Sequence, residues 1–414
     1  MANTNYIVAI DLGTSHLVGM VGKKNEEGKL SILAEEIEGS ASCIRRGCIF
    51  NVNDTAHRIN RLIQKLQNRI SGKLPNFTIN KVYIGIGGQS LHSIDHFEVK
   101  TISTNIAVSE QDIKELDEQC RSYKPEGMDV LDISSPTYYD NGKIVDHPVG
   151  VFCKRLEARY KLIVGQPSIR IYLTSCFELI ADIQLAGIIV SPLSLADSML
   201  SSDEKELGCT CIDFGAGTTS VVVFKRNKLV HLCVIPLGGD LITKDLTRFF
   251  PFVESEAERI KITYGSAIMN YDKANPGLTD VKDGIGQRDV NTVVEARILE
   301  IVENVNAQIK STGVTDQMGA GVVLAGGAAE LKNLRELLQE RLKQEVNFST
   351  IRSEWMENDD DRMGNPLYMT AISLLISGTD RCVSQAQSST SDKKPPTKKG
   401  NIFGKIFDEI LNQS

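Results

Sequence analysis

Apolar residues in this chain fall into two kinds of pattern. Short, nearly continuous runs at 7–12, 17–21, 209–214 and 221–224 read as strands covered on both faces. Stripes at helical spacing form the second kind. One is Ile59, Leu62, Ile63, Leu66 and Ile70, with Asn53 or Asp54 as N-cap. Another is Val294, Ile298, Ile301, Val302, Val305 and Ile309 within 290–311, and a third is Leu331, Leu334, Leu337 and Leu338. Between them the pattern predicts strands at 29–38, 81–88, 187–190 and 322–325 and helices near 194–200 and 255–261. A solvated connector is expected at 203–206. Residues 168–182 satisfy both periods: Ile169, Ile171 and Leu173 alternate, while Phe177, Ile180 and Leu185 suit a helix.

From 89 to 160 the elements are shorter. Two strand-like runs at 91–102 precede a capping-box start at Ser109–Asp112, whose helix carries Ile113, Leu116 and Cys120. Strands at 129–133 and 136–139, an Asn141-Gly142 turn and a strand running through Val164 follow. This stretch reads as a small α/β module inserted into a larger fold.

The apolar runs also repeat a motif. Asp11-Leu12-Gly13-Thr14-Ser15 and Asp213-Phe214-Gly215-Ala216-Gly217-Thr218-Thr219 each join two strands through a turn of glycines and hydroxyls behind an aspartate. Glycine lets backbone N–H groups approach an anion, and Thr and Ser add donors to phosphate oxygens. An aspartate at the strand end can hold a hydrated Mg²⁺. One such hairpin is an ordinary turn; two, half a chain apart, can grip a polyphosphate from both sides. The phosphate candidates are therefore Gly13, Thr14, Ser15, Gly215, Gly217, Thr218 and Thr219, with Asp11 and Asp213 reaching the metal through water. The strand at 322–325 runs into Gly326-Gly327, a turn small enough for a flat ring or sugar to approach its backbone.

Length and charge narrow the classes. A chain of 414 residues can bury two or three cores, and a net charge of −7 gives no basic field for nucleic acid. The nine cysteines include no CxxC pair, and the absence of a secretion signal before Ile7 points to a reducing cytoplasm. Cys209-Thr210-Cys211 lies on an apolar strand and reads as core packing. Residues 384–399 are Ser, Gln, Thr, Lys and Pro with little to bury, a flexible linker. Beyond it Phe403, Ile406, Phe407, Ile410 and Leu411 recur at i, i+3, i+4, i+7 and i+8, the stripe of an interfacial amphipathic helix. From residue 381 onward six basic residues face three acidic ones, so this tail is +3 on an acidic chain. That sign suits an anionic membrane surface.

Together these motifs resemble the actin-like ATPase superfamily and, within it, the FtsA family of bacterial cell-division proteins. The resemblance rests on the two Asp turns, Arg46-Gly47 and Pro148-Val149-Gly150 with Arg155-Leu156-Glu157. It extends through Glu206-Leu207-Gly208, Ala257-Glu258-Arg259-Ile260-Lys261, Ala325-Gly326-Gly327-Ala328-Ala329, Asn365-Pro366-Leu367-Tyr368-Met369-Thr370-Ala371 and the tethered terminal helix. It implies a duplicated actin-like (ribonuclease H-like) α/β fold of two domains. The first half would be 1–88 and 161–202 around the inserted module 89–160. The second would be 203–236 and 310–364 around a subdomain at 237–309. A helix at 365–380 would return to the first half, followed by linker 381–399 and the membrane-targeting helix 400–414. The resemblance further implies ATP with Mg²⁺ as ligand, Glu258 and Lys261 at the ribose and base, and Gly326 and Gly327 beneath the base. The implied role is a peripheral scaffold on the cytoplasmic face of the bacterial membrane at the division site. It would polymerise with itself, bind the C-terminal peptide of the tubulin-like FtsZ through 237–309, and recruit later division proteins through the module.

Some positions depart from the family pattern. His16 stands where lysine is common, and Ala216 where glycine is usual. The water-positioning residue would follow the strand ending near Gly165, where Gln166 is the candidate; lacking a carboxylate there, turnover should be slow. Two other readings share the fold plan, a PilM-like pilus-assembly adaptor and a phosphotransferase.

Overall fold

The computed structural model describes residues 5–74, 77–103, 106–269, 280–282 and 284–385. The tail stripe at Phe403, Ile406, Phe407, Ile410 and Leu411 lies outside the described residues. The first sheet has the spatial order Leu30–Gly39, His16–Lys24, Asn5–Leu12, Lys81–Ile86, Gln184–Val190. The first three strands form an antiparallel meander, and the last two run parallel to Asn5–Leu12. Asn5–Leu12 and His16–Lys24 are apolar on both faces because both are covered. Helix Val52–Ser71 packs on one side and Pro366–Ser377 on the other. The helices come close enough that a Cβ at Gly19 would touch Leu62 and Leu66, and one at Gly22 would press on Leu30 and Leu375.

The second half repeats this order as Lys228–Ile235, Thr219–Lys225, Cys209–Phe214, Val322–Ala325, Val346–Phe348. Its senses are the same: an antiparallel meander, then two parallel strands. Helices Gly239–Phe249, Glu254–Tyr264 and Gln287–Ser311 interrupt it after the third strand and pack on one another. The CxC cysteines are core, as their strand setting predicts: Cys209 and Cys211 are buried, and burial pushes both thiols up.

The inserted module lays helix Glu110–Ser122 on strands His92–Thr101, Asp129–Ile133, Thr137–Asp140, Lys143–Val145 and Arg155–Gly165. Leu116, Cys120, Leu156, Ala158, Tyr160 and Leu162 form its separate core. Its sheet does not end at the module. His92 pairs with Cys233 of the second half, Val234 N–H donates to the Leu91 carbonyl (3.0 Å), and Leu232 N–H donates to Ser93 Oγ (2.9 Å). Lys228 Nζ reaches the Pro136 carbonyl (2.8 Å). Module and second half therefore share one continuous ten-stranded sheet.

Several local expectations change. The N-cap of helix Val52–Ser71 is Asn51, whose side chain accepts from Asp54 N–H (3.1 Å); Asn53 and Asp54 are in the first turn. The 91–102 stretch is one strand, His92–Thr101. The ambiguous 168–182 stretch is helix Ser168–Glu178, with Leu173 and Cys176 inward. The connector at 203–206 is a short helix, Ser202–Leu207, closed by a Ser201/Glu204 capping box that the charge run hid.

Candidate functional site

The C-terminal ends of strands Asn5–Leu12, Lys81–Ile86 and Gln184–Val190 lie side by side, with Asp11 level with Gly85 and Gly85 level with Ile189. In the second half Asp213 lies level with Ala325. Open parallel sheets bind ligands at this edge, because the chain leaves each strand there for a loop or helix. Both aspartates therefore stand where a loop can bring a ligand to them.

The first turn is braced from behind. Ser40 Oγ donates to the Gly13 carbonyl (2.6 Å), Ser40 N–H to the Ser15 carbonyl (3.1 Å), and Gly47 N–H to Thr14 Oγ1 (3.0 Å). Gly47 takes a left-handed backbone (φ +69°), and a Cβ there would strike the Gly87 carbonyl. Ser15 and His16 are exposed at the tip.

The second turn is closed by Gly215 N–H to the Thr218 carbonyl (2.9 Å). It is then clamped by the start of helix Gly239–Phe249: Gly239 N–H donates to the Gly215 carbonyl (3.0 Å) and Asp240 N–H to the Ala216 carbonyl (2.8 Å). A Cβ at Gly238 would lie 2.5 Å from the Ala216 oxygen, so this approach needs glycine. The methyl of Ala216 itself is accommodated in the half-buried turn.

The two turns meet. A Cβ at Gly217 would lie 2.5 Å from Thr14 Oγ1, so the tips touch across the two halves. Burial raises the Asp11 carboxyl to about 7, with the Asp213 charge adding to it and a hydrogen bond from Ser191 opposing it. Burial raises Asp213 to about 6. Two half-buried, desolvated carboxylates, one raised further by the other's charge, fit a cation between them under the facing turns, which would offset both effects.

At the other end of the second turn, Lys261 Nζ donates to Glu258 Oε2 (2.7 Å), Thr243 Oγ1 (3.0 Å) and the Gly239 carbonyl (3.2 Å). The lysine is nearly buried while Glu258 keeps much of its side chain exposed. This is more than a surface ion pair, since it ties helix Glu254–Tyr264 to the glycine clamp. Ala328 lies against Gly239, which brings the Gly326-Gly327 turn to the same place. Gly326 has φ +93°, and a Cβ there would strike Asp213 Oδ1 and the Phe214 carbonyl; Gly327 faces open space. Beyond Gly326 a cavity of about 370 Å³ is lined by Glu330, Ser349, Thr350, Pro366 and Met369 among others.

Asp11, Gly13, Thr14, Ser15, Asp213, Gly215, Gly217 and Thr218 thus gather at the touching turns, with Glu258, Lys261, Gly326 and Gly327 beside them. Two candidates do not join them. Thr219 is fully buried, and its hydroxyl donates to the Leu237 carbonyl (2.8 Å), so it holds the glycine clamp rather than facing phosphate. Gln166 follows a strand of the module's sheet, Arg155–Gly165, not of the sheet that carries Asp11. Its side chain is exposed and its N–H donates to Ser90 Oγ (3.2 Å). Sequence reasoning missed Gly238, Gly239 and Ser191. The Gly-Gly-Asp step into an amphipathic helix was a readable signal for the first two. Among the described residues no group of three or more His, Cys, Asp or Glu side chains could hold a metal.

Comparison with known proteins bears on both fold and family. A family profile described as cell division protein FtsA matches residues 210–373, and one described as the SHS2 domain inserted in FtsA matches 88–164. The cell division protein FtsA of Porphyromonas gingivalis is 33% identical over 387 residues, covering 92% of this chain and 79% of that protein. That of Pseudomonas aeruginosa is 28% identical over 407 residues, covering 94% and 95%. Among solved structures, the PilM–PilN type IV pilus biogenesis complex matches with TM-score 0.61 at 13% identity, over 90% of this chain and 98% of that chain. The fold is actin-like, duplicated, with an inserted module.

Proposed function

This chain belongs to the FtsA family of bacterial cell-division proteins, and from that premise we propose that it is a nucleotide-binding scaffold tethering FtsZ to the cytoplasmic face of the membrane at the division site. The observation that carries the nucleotide part is the contact of Thr14 with Gly217, which closes two Asp-anchored turns on one point. Backbone N–H groups and the hydroxyls of Thr14, Ser15 and Thr218 would hold the phosphates. Asp11 and Asp213 would hold the water shell of Mg²⁺, which supplies neutralisation of the phosphate charge when bound. The base would lie over Gly326-Gly327, toward the cavity lined by Glu330 and Pro366. The likeness to PilM is one of fold, and FtsA membership favours division over pilus assembly.

The FtsZ peptide would dock on the subdomain at 237–309. Phe249, Val253 and Ile262 are strongly exposed there, on and between helices Gly239–Phe249 and Glu254–Tyr264, with Lys244, Arg248 and Arg259 also exposed. Exposed apolar side chains interspersed with cations along this helix pair suit an extended peptide mixing apolar and acidic side chains. The inserted module would recruit later division proteins, and copies of the chain would polymerise along the membrane. Co-sedimentation with FtsZ polymers and anionic vesicles tests the whole reading. The paired change Phe249→Ala and Ile262→Ser is expected to weaken FtsZ capture about tenfold or more, with ATP affinity unchanged. Unaltered capture would remove the peptide from these two helices.

A further inference from the structure

The fifth strand of the first sheet, Gln184–Val190, ends at Ser191, which opens helix Ser191–Met199 with Pro192 in the first turn. Register places this strand end beside the metal-side carboxylate: Ile189 is level with Gly85, and Gly85 with Asp11. Ser191 is buried, and its hydroxyl donates to Asp11 Oδ1 (3.2 Å). The other carboxylate oxygen, Oδ2, lies on the side of the first turn, 3.7 Å from where a Cβ of Gly13 would be. Gly85 leaves room for this bond, since a Cβ there would lie 2.6 Å from Ser191 Oγ.

Resting on the Mg-nucleotide reading, we propose that Ser191 is the positioning residue of the first half. It fixes the Asp11 carboxylate by one oxygen so that the other is presented to the hydrated cation at the turn. Gln166 follows a strand of the other sheet and has no share in this role. A free carboxylate could rotate and divide its two oxygens between cation and solvent. One anchored oxygen makes the other a fixed acceptor for a metal-bound water, a benefit felt only when the metal is present. Ser191 donates its hydrogen and carries no carboxylate, so it orients Asp11 without serving as a base.

The test is calorimetry on the full chain with ATP, in Mg²⁺ and separately in EDTA, for the parent, Ser191→Ala and Gln166→Ala. The parent binding no ATP in either condition would overturn the nucleotide reading itself. Given parent binding, Ser191→Ala is expected to lose about tenfold in Mg²⁺, the scale of one hydrogen bond to a charged group, and nothing in EDTA. Gln166→Ala is expected to match the parent in both. A Ser191→Ala protein that equals the parent in Mg²⁺, or that loses equally in Mg²⁺ and EDTA, overturns the positioning role. Thermal unfolding of the ligand-free proteins supplies the folding control, and removing one hydroxyl leaves Pro192 and the helix start in place.

Discussion

Asp213→Asn is expected to abolish Mg-ATP binding and, in the same protein, to raise the melting temperature of the ligand-free chain at pH 8. Both effects come from one carboxylate. Burial holds Asp213 near 6 and Asp11 near 7, against 3.8 for a free group. Between about pH 4 and 7 the folded chain therefore holds more protons than the unfolded chain. By linkage, the stability contributed by these sites falls as pH rises through that window and stays low above it. At pH 8 both groups are ionised in the fold, and Asp213 alone costs at most about 3 kcal/mol. Asparagine removes that cost and the repulsion on Asp11. A rise of a few degrees at pH 8, shrinking towards pH 5, is the scale for a chain of this size. The same charge is what a hydrated cation needs, so Mg-ATP should stabilise the parent more at pH 8 than at pH 6 and leave the variant unmoved. Calorimetry showing parent-like affinity in Asp213→Asn would remove the carboxylate from the site. A melting temperature that does not rise at pH 8 would mean that the charge is already compensated.

Phe407→Glu is expected to release the protein from anionic vesicles while leaving ATP affinity intact. Phe407 sits mid-stripe among Phe403, Ile406, Ile410 and Leu411. Five such side chains are worth a gross gain on the order of 10 kcal/mol at roughly 1.5–3 kcal/mol each. Partial immersion and the cost of ordering a short helix remove much of it. A single copy would then bind weakly, and a row of copies in the proposed filament would bind firmly through avidity. A charge placed in that stripe adds a desolvation cost comparable with the net gain, so vesicle sedimentation should fall to background. Parent-like sedimentation of the variant would show that another surface anchors the protein.

The parts of the site legible in the sequence were those written as contiguous motifs. Asp11 and Asp213 each precede a glycine turn inside an apolar hairpin, and the repetition made both visible without a structure. Thr219 was misread because strand alternation, invisible in a run of hydroxyls, turns it away from the tip and towards Leu237. Ser191 was unreadable because its role comes from register: three parallel strands must be aligned before a serine 180 residues away can meet Asp11. Gln166 misled for the converse reason, since adjacency to a strand end says nothing of which sheet the strand joins. In the fold, periodicity found the hairpins and the long helices. It could not show that the module's edge would continue into the second half.

That continuation has a mechanical consequence. The module is covalently part of the first half, yet its first strand leans on the second half at His92 and Cys233, with Ser93 and Lys228 as side supports. Strand His92–Thr101 extends away from this joint for 10 residues, roughly 33 Å at strand rise. Any tilt of the module would pivot about this joint of one residue pair and its three flanking hydrogen bonds. A tilt of about 5° there would sweep the far end, where Thr101 pairs with Arg155, through roughly 3 Å. A displacement too small to see at the cleft would become, at the far end of that strand, a shift as large as a side chain.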